Sequence, residues 1–251
     1  MNYPLKQMTF TTLAGRFATR TLGVVVLTAA LASAQSAIAG QGASLQAIEI
    51  AAQQLDVAAL QQQTLQAQDD YLFAYAQYRL AVAASVQADE GLMKPALASA
   101  VERLELLLKS EPVAELKVEA LALLALSRGL QAGYSPIKGA YYGKLSSDAL
   151  AQAMTLQADN PRVQLAAAIL AFQTPTLFGG SKKDALTHAN KAIAAFAQPC
   201  QTICWGQAEA YVWRGLAKAE AGDQAGAKAD WSQALLQAPD YGWAKQLLKD
   251  A

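Results

Sequence analysis

From about residue 45 onward, apolar positions recur every three or four residues along the chain rather than every second residue. This spacing places apolar side chains on one face of an α-helix, whereas a half-buried strand alternates at every second position. Proline and glycine gather between the periodic stretches, as is typical of turns. The pattern predicts an all-α protein with helices at 45–55, 57–68, 71–84, 95–109, 113–131, 147–158, 161–172, 182–197, 206–221, 224–238 and 243–249.

The segment 208–239 has small, aromatic and helix-terminating residues at the offsets of a tetratricopeptide repeat, which is a helical hairpin of about 34 residues. Gly215 allows the first helix to approach Ala227 of its partner closely, and Gly222 suits a left-handed residue that ends the first helix. A hairpin of this kind buries its apolar face only by stacking on neighbours, and such stacks usually bind other proteins. The residues that define the repeat are Gly215, Gly222, Ala227, Trp231, Ala234 and Pro239.

The preceding helix pair repeats the second half of this pattern, 42 residues earlier in the chain. A spacing of 42 residues rather than about 34 predicts longer connections between the helices. The matching residues are Gly180, Ala185, Ala189 and Ala192.

Three motifs, NPR at 160–162, FGGSKKDA at 178–185 and WGQAEA at 205–210, resemble exported bacterial tetratricopeptide-repeat proteins of unassigned biochemistry. The resemblance covers residues 58–251 and implies an α-solenoid of stacked antiparallel helical hairpins with a binding or assembly role. It carries no catalytic residues. Arg214 and Lys218 depart from the family, which prefers Leu and Tyr at these positions, so the packing of the last repeat is expected to differ.

The first 39 residues have the layout of a secretory signal peptide. Basic residues precede an apolar run at 22–32, and the small-x-small sequences at 32–34 and 37–39 suit cleavage. The run is shorter than the roughly 20 apolar residues that a membrane span needs. We therefore expect a cleaved signal peptide at 1–39, an exported protein in the periplasm, and a single repeat domain at 40–251.

Charge narrows the range of partners. All 20 acidic residues but only 17 of the 20 basic residues follow position 39, so the expected mature chain has a net charge of −3. An acidic chain argues against nucleic-acid binding, which depends on neutralising phosphates. It also provides no run of basic residues for a membrane surface, and the expected partner is a protein or peptide.

The two cysteines lie close together, between the helices at 182–197 and 206–221. In an exported protein, an even number of cysteines favours a disulfide, which we expect between Cys200 and Cys204. Their spacing differs from the C-x2-C redox motif, and His188, the only histidine, is the one further soft metal ligand. A crosslink here would fix the angle between the last two hairpins, with free or redox-active thiols and metal binding as alternatives.

Long turns inside the hairpins, at 85–94, 132–146 and 173–181, supply the candidate partner-binding residues. In a stacked array, turns of one type emerge along one edge, which often binds partners. Alternatively, their apolar side chains fold back and seal the stack. The candidates are Met93, Tyr134, Tyr141, Tyr142, Leu177 and Phe178.

A second candidate surface is the concave side of the stack. Tyr71, Tyr75 and Tyr78 share one face of the helix at 71–84 and belong either to the core or to a peptide-binding groove.

No sequence motif for catalysis or nucleotide binding is present, and the carboxylates scatter over helix ends and charged faces. We expect a non-catalytic interaction module or assembly scaffold that uses no cofactor. The alternatives are an accessory subunit of an envelope enzyme and a thiol-dependent factor that uses Cys200 and Cys204.

Overall fold

The computed structural model describes residues 44–200 and 202–251, and the predicted signal peptide lies outside them. Throughout this part of the chain the regular structure is helical, which confirms the all-α prediction. The helices are α1 Leu45–Gln53, α2 Val57–Gln66, α3 Asp70–Val86, α4 Glu90–Lys109, α5 Ala114–Gly133, α6 Gly139–Gln157, α7 Pro161–Gln173, α8 Lys182–Phe196, α9 Gln207–Glu220, α10 Gln224–Gln237 and α11 Gly242–Asp250.

Helices α3 to α10 form four hairpins of adjacent helices, α3 with α4, α5 with α6, α7 with α8 and α9 with α10. The first helices of successive hairpins also contact one another, so that α3, α5, α7 and α9 make an inner layer. The second helices lie outside them, α1 and α2 cover α3, and α11 contacts α10. This pairing is consistent with the predicted stack of helical hairpins.

Alanine allows the inner helices to approach one another closely. Ala74, Ala122, Ala166 and Ala210, one from each inner helix, are all completely buried. Alanine has the highest helix propensity and adds little bulk at a helix contact. The alanine-rich composition therefore produces a tightly packed inner layer.

Helix α4 begins at Glu90, five residues before the predicted start. The side chain of Asp89 accepts a hydrogen bond from the backbone N–H of Leu92 at 3.0 Å and thereby caps the helix. Met93 lies in the first turns of this helix and is completely buried in the core. These contacts outweigh the backbone hydrogen bond that Pro95 cannot make. The prediction that Met93 lies on a surface turn is wrong.

Helix α6 also begins early, at Gly139 rather than at residue 147. The hydroxyl of Ser146 donates to the backbone carbonyl of Ala125 in α5 at 2.7 Å, which joins the two helices before the predicted start. Tyr141 and Tyr142 therefore lie in the first turn of α6. The long turn predicted at 132–146 is much shorter in the structure.

The last hairpin contains the predicted left-handed turn, and a side-chain cap follows it. Gly222 adopts a left-handed conformation with φ of 88°, and the side chain of Asp223 accepts from the backbone N–H of Gly226 at 2.8 Å. The repeat-defining residues of α8 and α10 that face inward are buried, namely Ala185, Ala189, Ala192, Ala227, Trp231 and Ala234.

Gly215 provides the predicted close approach, but to a different neighbour. A Cβ atom added to Gly215 would clash with the indole of Trp231, whose Nε1–H donates to the carbonyl of Val212 at 3.3 Å. The contact with Ala227 that the sequence suggested is therefore replaced by one with Trp231.

Arg214 and Lys218, where the resemblance stated above implied Leu and Tyr, join α9 to α10 through a shared carboxylate. Arg214 binds Asp230 through Nε at 2.8 Å and Nη2 at 2.6 Å, and Lys218 Nζ lies 2.9 Å from the same carboxylate. Asp230 is almost fully buried. In this repeat, an ion cluster stands where apolar packing was expected.

The Gly215 contact predicts opposite effects for two glycine substitutions. Gly215→Ala should lower the free energy of unfolding by roughly 1–3 kcal/mol, because it overpacks the contact with Trp231. Gly143→Ala, in α6, is the matched control, since an added Cβ meets no atom within 4 Å. The control should raise stability by up to about 1 kcal/mol, because alanine has the higher helix propensity. Urea unfolding of both variants checks the prediction, which equal effects would contradict.

Candidate functional site

Large apolar side chains are exposed on two turns, one between α5 and α6 and one between α7 and α8. Ile137 in the first connection and Tyr141 at the start of α6, directly after it, are 96% and 61% exposed, and Leu177 and Phe178 in the second connection are 88% and 69% exposed. We call these four residues the turn edge. Isolated exposed apolar residues are ordinary, but a group of them is typical of a contact surface.

The packing of α5 against α7 brings the two turns together. Gly129, near the end of α5, is so close to Leu170, near the end of α7, that an added Cβ would clash with the leucine side chain. Both helices are first members of successive hairpins, so they run in the same direction. The turns that follow them therefore emerge side by side.

The second turn has a well-defined backbone that directs Leu177 and Phe178 outward. Gly179 is left-handed with φ of 91°, and a Cβ at Gly180 would clash with the carbonyl oxygen of Thr174. The backbone N–H of Ser181 donates to the carbonyl of Ala171 at 2.9 Å and closes the turn onto the end of α7. The close approach of Gly180 to the Thr174 carbonyl thus explains why glycine occupies this position.

Lysines border the turn edge. Lys138 and Lys183 are exposed, and their ammonium groups have no hydrogen-bond or ion-pair partner among the residues that the structure describes. Lys182 differs, because its Nζ contacts the Phe172 carbonyl and lies 3.4 Å from the centre of the Phe172 ring. Burial lowers the pKa of Lys182. The apolar turn edge is thus bordered by exposed positive charge.

Three of the six predicted partner-binding residues are exposed and three are not. Tyr141, Leu177 and Phe178 are exposed, whereas Met93 is buried. Tyr134 is half-buried against the core. Tyr142 is also half-buried, with the guanidinium of Arg128 at 5.6 Å from its ring centre.

Ile137 belongs to the exposed group but was missed by the sequence analysis. Its signal was a bulky apolar residue directly after Pro136 in a turn.

The tyrosine stripe of α3 belongs to the core. Tyr71, Tyr75 and Tyr78 are all buried. The indole Nε1–H of Trp205 donates to the hydroxyl of Tyr71 at 2.9 Å, and its ring stacks on Tyr75 with centroids 4.8 Å apart. The prediction that these tyrosines are core residues is confirmed, and the alternative of an open peptide groove lined by them is wrong.

Trp205 is part of a buried junction between the first and last hairpins. Arg79 Nη2 in α3 lies 2.7 Å from Glu49 Oε1 in α1 and 2.9 Å from Glu209 Oε2 in α9. Arg79 Nε also donates to the Tyr75 hydroxyl at 3.0 Å, and that hydroxyl donates to Glu49. We call Glu49, Tyr75, Arg79, Trp205 and Glu209 the axial cluster.

The axial cluster stabilises the charge of Arg79 despite its burial. Burial alone disfavours the guanidinium, but Glu209, Tyr75 and Glu49 hold the pKa of Arg79 above its usual value. Both carboxylates are engaged by the same guanidinium. The arrangement therefore ties α1, α3 and α9 together.

A second buried ion pair joins α5 to α7. Arg162 Nε lies 2.7 Å from Glu119 Oε2, and its Nη2 lies 2.5 Å from Oε1. Asn160 donates to the same carboxylate at 2.7 Å, and its own side-chain oxygen caps α7 by accepting from the backbone N–H groups of Arg162 and Val163. The NPR motif thus combines a helix cap with a helix-to-helix contact.

Cys200 and Cys204 form the predicted disulfide, with their Cα atoms 5.7 Å apart. Both residues are exposed, and the crosslink lies in the loop between α8 and α9, directly before Trp205. Within residues 44–200 and 202–251, His, Cys, Asp and Glu make no group of three or more that could hold a metal ion. None of the helices α1–α11 is both long and apolar enough to cross a membrane.

His188, the only histidine of the chain, contacts the neighbouring helix α7. Its Nδ1 lies 2.8 Å from Gln164 Oε1 in α7, and the side chain is half-buried between the two helices. Burial lowers the pKa of His188, and the positive charge of Lys191 lowers it further. The contact places the imidazole in the α7–α8 interface.

A cleft of about 760 Å³ lies between the α1–α2 turn, the end of α3 and the α10–α11 turn. Its walls include Leu55, Val86 and Gly242, and its rim includes Lys245, which pairs with Asp240 at 3.0 Å. Because the cleft is lined from both ends of the chain, α1 and α11 also lie next to each other outside the axial cluster.

The axial cluster predicts that Arg79 contributes far more to stability than Arg103 does. Arg79→Met should lower the free energy of unfolding by about 3–5 kcal/mol, because it leaves the buried carboxylate of Glu209 and the largely buried carboxylate of Glu49 without their cation. Arg103→Met is the matched control, since Arg103 pairs with Asp70 at 2.8 Å on the surface. The control should cost about 1 kcal/mol or less. Urea unfolding compares the two, and equal losses would refute the role of Arg79.

The buried tyrosines predict a steep loss of stability at alkaline pH. Burial raises the pKa of Tyr71, Tyr75, Tyr78 and Tyr241. The unfolded chain releases these protons near pH 10 while the native protein retains them. Stability is therefore fully present below that pH and falls above it by about 1.4 kcal/mol per pH unit for each tyrosine.

Tyrosinate absorbance and circular dichroism, recorded together during an alkaline titration, check this expectation. The absorbance step of the buried tyrosines should coincide with the loss of helix. Full tyrosine ionisation in a protein that is still helical would contradict their burial.

Comparisons of the chain with protein-family models, with curated proteins and with solved structures found no significant match. The functional interpretation therefore rests on the chain's own residues: a stack of helical hairpins tied at its axis and exposing the turn edge.

Proposed function

We propose that the protein is an exported, tetratricopeptide-like α-solenoid that acts as a non-catalytic docking scaffold and binds a protein partner through its turn edge. The observation that carries this proposal is the exposure of Ile137, Tyr141, Leu177 and Phe178 on two adjacent turns.

Burial of these side chains is the source of binding free energy. Each large apolar side chain gains about 1.5–3 kcal/mol when it moves from water into an apolar contact. Aromatic residues such as Tyr141 and Phe178 are frequent anchors at interfaces. Lys138 and Lys183 border them and favour a partner with acidic residues around its own apolar patch.

The inner face is less suited to a partner. Helical repeats often bind peptides in a concave groove, but here Trp205 and the tyrosines of α3 fill the space between the first and last hairpins. The exposed turns are therefore the better candidate surface.

The disulfide supports the proposed location. Disulfides persist in oxidising compartments and are rare in the cytosol. The Cys200–Cys204 crosslink thus agrees with export to the periplasm. A role as accessory subunit of an envelope enzyme belongs to the same scaffold class and differs in the identity of the partner.

Crosslinking in the native cell envelope, followed by affinity capture and mass spectrometry, tests the proposal. Leu177→Ser combined with Phe178→Ser should reduce recovery of the dominant partner by at least about tenfold, which corresponds to about 1.4 kcal/mol. Leu236→Ser is the control, because Leu236 is 72% exposed but lies on α10, away from both turns. The control should leave recovery unchanged.

Two results would contradict the proposal. One is recovery of the same partner by the double variant at the level of the unchanged protein. The other is an equal loss in the Leu236→Ser control, which would indicate nonspecific stickiness of exposed apolar residues rather than a site. A single stoichiometric enzyme among the recovered proteins would identify the accessory-subunit alternative.

A further inference from the structure

The loop between α8 and α9 contains two contrasting parts. Cys200 and Cys204 are exposed at its outer part, whereas Trp205 and Gly206, which follow directly, are buried. A single peptide bond therefore separates the disulfide from the side chain that contacts Tyr71 and Tyr75.

The buried part of the loop fits tightly into the axial cluster. Gly206 is left-handed with φ of 95°, and an added Cβ would lie 2.7 Å from Leu165 Cδ2. Its backbone N–H points to Glu49 Oε2 at 3.5 Å. The position of this segment is therefore coupled to the Glu49 carboxylate that also binds Arg79.

The outer part of the loop has few other restraints. Between Pro199 and Trp205, the described residues make no backbone–backbone hydrogen bond. Ile203 is half-buried against the core, and the disulfide is the only covalent restraint. Because the crosslink spans so few residues, its entropic effect on the unfolded chain is smaller than that of a long-range disulfide. Its main effect is local, on the path of the chain into Trp205.

We propose that the Cys200–Cys204 disulfide is a site of reversible thiol–disulfide exchange with a dithiol, such as that of an exported oxidoreductase, and that its reduction releases Trp205 from the axial cluster. The site is separate from the turn edge, so the inference goes beyond the proposed docking function. Reduction loosens the junction of α1, α3 and α9 and makes the closure of the stack dependent on redox state.

The exchange proceeds in two balanced steps. A thiolate of the dithiol attacks one of the two exposed sulfurs, the S–S bond breaks, and a mixed disulfide forms while the other cysteine leaves as a thiolate. The second thiol of the reagent then displaces the remaining cysteine and closes its own disulfide. Two electrons and two protons pass from the dithiol, leaving Cys200 and Cys204 as thiols. The exposure of both residues gives the attacking thiolate access.

The test uses the mature chain with dithiothreitol as the dithiol and measures hydrogen exchange of the indole N–H groups by NMR. Reduction of the native protein should yield two titratable thiols and speed exchange of the Trp205 indole by on the order of tenfold or more, because that proton loses its bond to Tyr71. Trp231 is the internal control, since its indole donates to Val212 in the last hairpin. Its exchange should change less than about twofold.

After removal of the dithiothreitol, reoxidation with oxidised glutathione should restore slow exchange at Trp205. Cys200→Ser combined with Cys204→Ser should reproduce the reduced behaviour without any reductant. If that variant fails to fold, the reduction and reoxidation of the unchanged chain still decide the matter.

Three results would overturn the proposal. The first is that the native disulfide resists the dithiol, so that no thiols appear. The second is that exchange at Trp205 stays unchanged after reduction. The third is an equal rise of exchange at Trp205 and Trp231, which would show that the crosslink stabilises the whole fold rather than the junction.

Discussion

The closed arrangement of the stack depends on one buried guanidinium, that of Arg79, which binds the buried carboxylate of Glu209 and the largely buried carboxylate of Glu49. Buried carboxylates are costly unless a cation and hydrogen bonds compensate for the water they lose. Only a conformation that brings α1, α3 and α9 together supplies both carboxylates with that cation. Trp205 adds an indole that bridges to the tyrosines of α3. Together these groups hold the first and last hairpins against each other.

The contact between the first and last hairpins limits where a partner can bind. Inner helices lined with alanine approach closely, and the remaining space between the first and last hairpins holds aromatic rings and ion pairs. A partner is therefore expected on the outside, where the turn edge presents apolar side chains and lysines. The same closure places an exposed disulfide one residue away from a buried tryptophan. The two proposals thus concern separate surfaces of one architecture, one for recognition and one for exchange of electrons.

Features set by neighbouring residues were predictable from the sequence. The left-handed Gly222 follows a local rule and appears in the structure as expected, and the Asp56 and Asp223 caps follow local rules of the same kind. The disulfide between Cys200 and Cys204 was also predictable, because only four positions separate the two cysteines. Pro95 misled the assignment of α4, since proline usually marks a first turn and here lies five residues after the start of the helix.

Contacts between distant residues could not be predicted in this way. Trp205 and Tyr71 are 134 positions apart, and no periodicity in one helix reveals its partner in another. The sequence showed Arg214 only as a departure from the repeat pattern. Its contact with the buried Asp230 was not predicted, because Asp230 belongs to the next helix. Among the candidate site residues, exposure separated Tyr141, Leu177 and Phe178 from Met93, and exposure depends on the complete fold.

The nuclear Overhauser effect between the Trp205 indole N–H and the ring protons of Tyr71 tests the closed arrangement most directly. The donor and acceptor atoms are 2.9 Å apart, so a strong cross-peak is predicted in the oxidised mature protein, and Trp205→Phe identifies it by removing the indole signal. Absence of that cross-peak, with the contacts between α9 and α10 still present, would show an open stack and contradict the account.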